Sequence, residues 1–163
     1  MTLIGGLPAH PLIVHGVVVL LPLAAVGTLV VAARSTWRRS LGVPVFLIAL
    51  LGVGLVPIAT KTGDQLEHVL GGTNPQIQVH EARADRLLPF ALIFLVLLLI
   101  TLLLGWRADR AADTGDAGTA RTQARLTTTA SVLAALAGVL VAGLVVWIGE
   151  AGATSVWDHV VAE

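Results

Sequence analysis

The stretch LLPFALIFLVLLLITLLLGW, Leu87–Trp106, decides how the chain has to be read. Its twenty residues carry no charge, and about 20 residues at 1.5 Å each span the hydrocarbon core of a bilayer. Three further runs repeat the pattern: Leu12–Ala33, Leu41–Thr60 and Leu126–Ile148. Lipid offers no partner to an open backbone amide, so each run is expected to cross as an α-helix. The fold expected is all-α: an integral membrane four-helix transmembrane bundle within a single domain, 1–163.

Composition agrees. Hydrophobic residues make up 56% of the 163 and charged ones 12%, against soluble averages of roughly 45–50% and about 25%. The formal net charge is zero, which argues against a nucleic-acid partner. There is no cysteine, so disulfides, thiolate clusters, c-type haem attachment and cysteine nucleophiles are excluded. Met1 to Pro8 lacks the basic region of a cleavable signal peptide, and the first helix is expected to stay.

Arginine placement orients the bundle. Arg34, Arg38, Arg39, Arg107, Arg110, Arg121 and Arg125 fall in the loops after the first and third runs, against Lys61, Arg83 and Arg86 on the other side. The positive-inside rule puts those two loops in the cytoplasm and both termini outside. Trp37 and Trp106 then fall at the inner boundary, and Trp147 and Trp157 at or beyond the outer one. Ala108–Ala124 has no apolar period and reads as a flexible linker.

The segment after the second run is expected to hold short outer helices. Thr62 with Gln65 resembles a capping box and Gly71-Gly72 a stop, which predicts a helix over 63–70. Asn74-Pro75 reads as an N-cap with proline at the first helical position. The helix it starts is expected to run over 75–106, with 87–106 in the membrane and a kink at Pro89. Pro22 and Pro57 are expected to kink the first two helices. Ala134, Gly138 and Ala142 form a small-residue row suited to close helix packing, internal or between copies.

All five histidines fall outside in this topology: His10, His15, His68, His80 and His159. Imidazole is the commonest metal ligand, and acids lie nearby in sequence. The expected metal residues are His10, His15, His80 and Glu150, with His68 and Asp64, one helical turn apart, as further candidates. Such a site suits zinc, copper or iron. Haem is the sharper variant, with His15 and His80 as axial ligands. The two stand at depths differing by roughly 10 Å unless a bend at Pro89 absorbs it. Histidines at an interface also simply bond lipid headgroups, water and helix ends. No residue cluster has the context of a hydrolase, and the four runs hold no charge of the kind that marks transport pathways.

Three places carry a resemblance: His10-Pro11 through His15 with the run that follows; Thr62-Gly63-Asp64 with His80-Glu81; and Gly149–Trp157. There the chain resembles a family of small bacterial membrane proteins, domain of unknown function 2231. The resemblance implies four membrane helices with histidines gathered at the outer end, and no reaction. It also implies a histidine at the position of Glu150 and an aromatic at that of Gly16, where this chain differs. Two functions follow as expectations. One is a metal or haem site facing outward in the cell membrane. The other is an accessory subunit of a larger membrane complex, such as a respiratory one, without metal of its own. The expected partners are the lipid bilayer and either a second copy or that complex.

Overall fold

The computed structural model describes residues 2–70 and 75–161. The chain opens on two two-residue strands, β1 (Leu3–Ile4) and β2 (Leu7–Pro8), and continues through α1 (Ala9–Ala33), α2 (Arg38–Leu70), α3 (Pro75–Ala84), α4 (Leu87–Asp113) and α5 (Ala117–Val161). Four of the helical segments are long and apolar enough to cross a membrane. They include the four runs read from the sequence, and each helix extends beyond its run.

The small hairpin turns at Gly5 and Gly6, both at positive φ, the backbone that a two-residue primed turn needs and that glycine adopts without steric cost. It is tied to α2 where the Thr2 amide and hydroxyl both donate to Gln65 Oε1, at 3.0 and 2.9 Å. That contact uses the glutamine expected in a capping box. No cap is needed there, because α2 continues without a break from Arg38 through Leu70. The separate helix expected over 63–70 is its last two turns. The Gly71-Gly72 stop and the Asn74 cap lie outside the described residues.

α1 and α2 form one antiparallel hairpin, α4 and α5 another. Each first helix also packs on the other hairpin, α1 on α5 and α4 on α2, which closes a four-helix bundle. In lipid, apolar contact between helices gains nothing over contact with acyl chains, so close backbone approach has to hold the bundle. Glycine supplies it. A Cβ on Gly138 would stand 3.0 Å from the Phe94 ring and 3.3 Å from the Ala25 Cα, so the small-residue row of α5 serves internal packing. The core is Leu21, Ala24, Ala49, Ala91, Phe94, Leu98 and Val141, all fully buried. Buried Thr28 and Thr101 satisfy their hydroxyls on the carbonyls of Ala24 and Leu97, one turn back in the same helix.

Two local differences from the sequence reading have clear causes. The helix expected to run from Pro75 into the third membrane run breaks at Asp85-Arg86, and no single kinked helix forms. Pro89 lacks an N–H and its ring crowds the carbonyl four residues back, that of Asp85. The interruption falls there and leaves Pro89 in the first turn of α4, where its N–H is not missed. Ala108–Ala124 is likewise no flexible linker. α4 runs to Asp113 and α5 starts at Ala117, as alanine and arginine favour. Gly115 (φ +80°) closes α4 in a Schellman turn, with Asp116 N–H on the Ala111 carbonyl and Gly115 N–H on that of Ala112. The Asp116 carboxylate then accepts from the Thr119 N–H, capping α5.

At this arginine-rich end, Asp109 accepts from Arg38 (3.1 Å) and Arg39 (3.0 Å), joining α2 to α4. Arg38 reaches it across Gly105, where any Cβ would overlap the guanidinium. Burial opposes ionisation of Asp109, but the hydrogen bond from Arg39 and the charges of Arg38 and Arg39 outweigh it and hold the carboxyl below its ordinary range. A depressed value stabilises the fold above the unfolded pKa, about 3.9, and that contribution disappears as pH falls through the folded value. Asp109→Asn is therefore expected to cost under about 1 kcal/mol near neutrality, as for other partly exposed pairs. It should cost nothing at the acid limit, as measured by denaturant unfolding in detergent across pH 2–7.

Candidate functional site at the histidine end

The opposite end gathers the start of α1, the last turns of α2, α3 and the last turns of α5. His10 lies in the first turn of α1, half-buried. Its Nδ1–H donates to the carbonyl of Ala59 on α2 at 2.9 Å, with the Thr62 hydroxyl oxygen 3.4 Å away. The ring lies against Gly63, whose absent Cβ would stand 3.1 Å from His10 Cε1. His80, also half-buried, projects from α3, and its Nδ1–H donates to the carbonyl of Ile148 on α5 at 3.0 Å. Its ring lies on Gly152, whose absent Cβ would stand 3.1 Å from Cε1 and from Nδ1.

A carbonyl can only accept, so each bond places a proton on Nδ1, and in the neutral ring Nε2 then carries the lone pair. That is the state in which imidazole ligates metals, the second nitrogen orienting the ring on a backbone oxygen. The Arg83 guanidinium completes the docking of α3. It donates to the Trp147 carbonyl at 3.1 Å and lies over the Trp147 ring, 4.5 Å from its centroid, a cation–π contact. The His80 and Asp64 side chains both lie near enough to act electrostatically on His10.

The other expected ligands stand differently. His15 is exposed, and its Nδ1–H donates to the Pro11 carbonyl of its own helix at 2.6 Å. His68, Asp64 and Glu150 are exposed too. His159 lies in α5, but its side chain is outside the description. The structure thus brings His10 and His80 to one end in matching states and leaves His15 on the outer face of α1. Among the described residues, no group of three or more histidines and acids is close enough to hold an ion. The sequence reading did not anticipate the two glycines or the two accepting carbonyls. Glycine four residues after an accepting carbonyl is visible in sequence only once the helix pairing is known.

Acids gather at the same end: Asp64 acts on His10, and Glu67, Asp64 and Asp85 act on Glu81. Burial, followed by a hydrogen bond that Glu81 of α3 donates to Glu67 of α2 and by the charges of Glu67, Asp64 and Asp85, raises the Glu81 carboxyl above its usual range. A raised value stabilises the bonded arrangement below the unfolded pKa, and the stability is lost as pH rises through the folded value. Amide hydrogen exchange across α3, corrected for the intrinsic pH dependence, should accordingly show more protection at about pH 4, below the ordinary carboxylate value, than at about pH 8. Glu81→Gln should flatten that difference, since an amide donates to Glu67 at either pH.

A family model described as "Predicted membrane protein (DUF2231)" matches residues 6–163. No curated protein and no solved structure matches the chain.

Proposed function

The chain belongs to the DUF2231 family of predicted membrane proteins, and from that premise we propose that it binds a transition-metal centre through His10 and His80 at the extracytoplasmic end of a four-helix membrane bundle. The observation that carries this reading is the matched state of the two imidazoles. Each is half-buried, oriented by a helix carbonyl through Nδ1–H, and free to ligate through Nε2. Exposed His15 also bonds a carbonyl, but one of its own helix; His10 and His80 are each half-buried and held by the carbonyl of a different helix.

The donor set narrows the metal. A structural zinc site takes four protein ligands, and the described residues do not gather even three. His10 and His80 would hold the iron of a haem, or a copper, zinc or iron ion that also binds water. The outward placement rests on the excess of arginines at the opposite end. In that orientation the centre suits electron transfer or metal handling at the outer face of the cell membrane.

Untagged protein in mild detergent, analysed for metals and by absorption, tests the proposal. One haem or one metal ion per chain is expected, either as purified or after haem, zinc, copper and iron are each added back. A Soret band separates haem from a bare ion. No uptake of any of the four overturns the reading. Co-purification of that metal-free protein with a larger assembly would favour an accessory subunit.

A further inference from the structure

Shifted by 89 residues, the end of α2 falls on the end of α5. Leu51, Gly54-Leu55-Val56 and Gly63 match Leu140, Gly143-Leu144-Val145 and Gly152. Burial follows the same register. Val45 and Ala134, Ala49 and Gly138, Gly52 and Val141, Val56 and Val145, and Thr62 and Ala151 are buried pair by pair. The two accepting carbonyls, Ala59 and Ile148, are also 89 apart, each four residues before its glycine. At a shift of 73 the first helices share three buried pairs, Leu21 with Phe94, Ala25 with Leu98 and Thr28 with Thr101, while buried Val17 falls on exposed Phe90 nearer the histidine end. The two threonines even make the same bond to the carbonyl one turn back.

The packing has the same symmetry. Exchanging α1 with α4 and α2 with α5 maps the hairpin contacts onto each other and the cross contacts, α1 on α5 and α4 on α2, onto each other. Both hairpins begin at the histidine end, as in parallel repeats related by an axis along the membrane normal. The shifts differ by sixteen residues, and those extra residues lie between Thr101 and Ala134, where α4 and α5 extend beyond the turn at Gly115.

We infer that the bundle is a tandem repeat of one helical hairpin and that the histidine pair is a duplicated half-site, His10–Ala59–Gly63 and His80–Ile148–Gly152, in which each glycine is the positioning residue for its imidazole. This rests on the metal reading above only for what the half-sites hold. A helix presents its carbonyl at i to a side chain from outside only if residue i+4, one turn above on the same face, leaves room. Glycine does so in both halves. The two half-sites match in donor, acceptor and glycine, although His10 opens α1 and His80 stands on α3, three residues off the shift of 73. The group they would hold is one that takes two like nitrogen donors, such as an iron or copper centre.

The test is 15N spectroscopy of histidine-labelled full-length protein in detergent, without metal, for the wild type, Gly63→Val and Gly152→Val. In the wild type the neutral rings of both His10 and His80 should be Nδ1–H tautomers. Gly63→Val should release His10 alone and Gly152→Val should release His80 alone. The histidine of the untouched half reports that each variant is folded, and the alanine variants give the same pattern with smaller shifts. Haem or metal affinity should then fall about tenfold or more, by similar factors in the two variants, as for loss of other groups that orient a ligand. Unchanged tautomers in both folded variants would overturn the inference. So would a response confined to one half. If the tautomers respond as expected and no protein binds metal, the duplicated half-site stands and the metal reading falls.

Discussion

Leucine in place of Gly138 is expected to destabilise the bundle by about 3 kcal/mol, at the upper end of the usual range for an overfilled core. The first added carbon already meets the Phe94 ring at 3.0 Å and the Ala25 Cα at 3.3 Å. The ring could turn, but the α1 backbone moves only with its helix, and α1 also packs on α2. Three helices would have to separate to admit the side chain. Phe94→Ala creates the opposite defect at the same crossing. In lipid the transfer term largely vanishes and the cavity term remains, roughly 2 kcal/mol for a side chain of this size. Denaturant unfolding in mixed micelles would measure both. A Gly138→Leu variant as stable as the wild type would mean that α1, α4 and α5 do not meet at this point.

Alanine at both His10 and His80 is expected to abolish binding of haem or metal ion, and each single variant to weaken it strongly. Without the imidazole no nitrogen lone pair remains, and a metal centre left with one protein ligand is held by one bond where it had two. The control is His15→Ala, which should leave the stoichiometry unchanged, since His15 is exposed and bonded within its own helix. Helical content should be unaffected in all four variants, because the closest partners of His10 and His80 are carbonyls of continuous helices. Metal retained at full stoichiometry in the double variant would exclude the pair as ligands. Metal lost from His15→Ala would move the centre to the outer face of α1.

The four runs were legible because a bilayer leaves one solution for twenty uncharged residues. What followed each run was harder to read. At Ala108–Ala124 the polar composition pointed to a linker, yet alanine and arginine carry a helix without any apolar face. Near Pro89 the sequence carried the interruption, but its place depends on which carbonyl the ring would strike, and that is Asp85 rather than the proline itself. At the site, residue types were legible and partners were not. His10 and His15 look alike in sequence, one at each side of Pro11, just before the first run. They differ because α2 brings a carbonyl and a glycine to His10, while His15 finds only Pro11. The bond of His10 to Ala59 spans 49 residues and that of His80 to Ile148 spans 68. Periodicity within one helix carries no trace of either.

The turn at Thr114–Asp116 sits well clear of the hydrocarbon. From Ala117 to Leu126, α5 climbs about 13 Å before its apolar run begins, and α4 rises alongside it to Asp113. The result is a two-helix mast standing off the lipid surface, absent from the other hairpin. Its tip is exposed and is made by one glycine turn whose ends are already capped. A compact soluble protein inserted there would ride rigidly on the bundle, making this tip the natural attachment point for a marker large enough to align so small a membrane protein in electron micrographs.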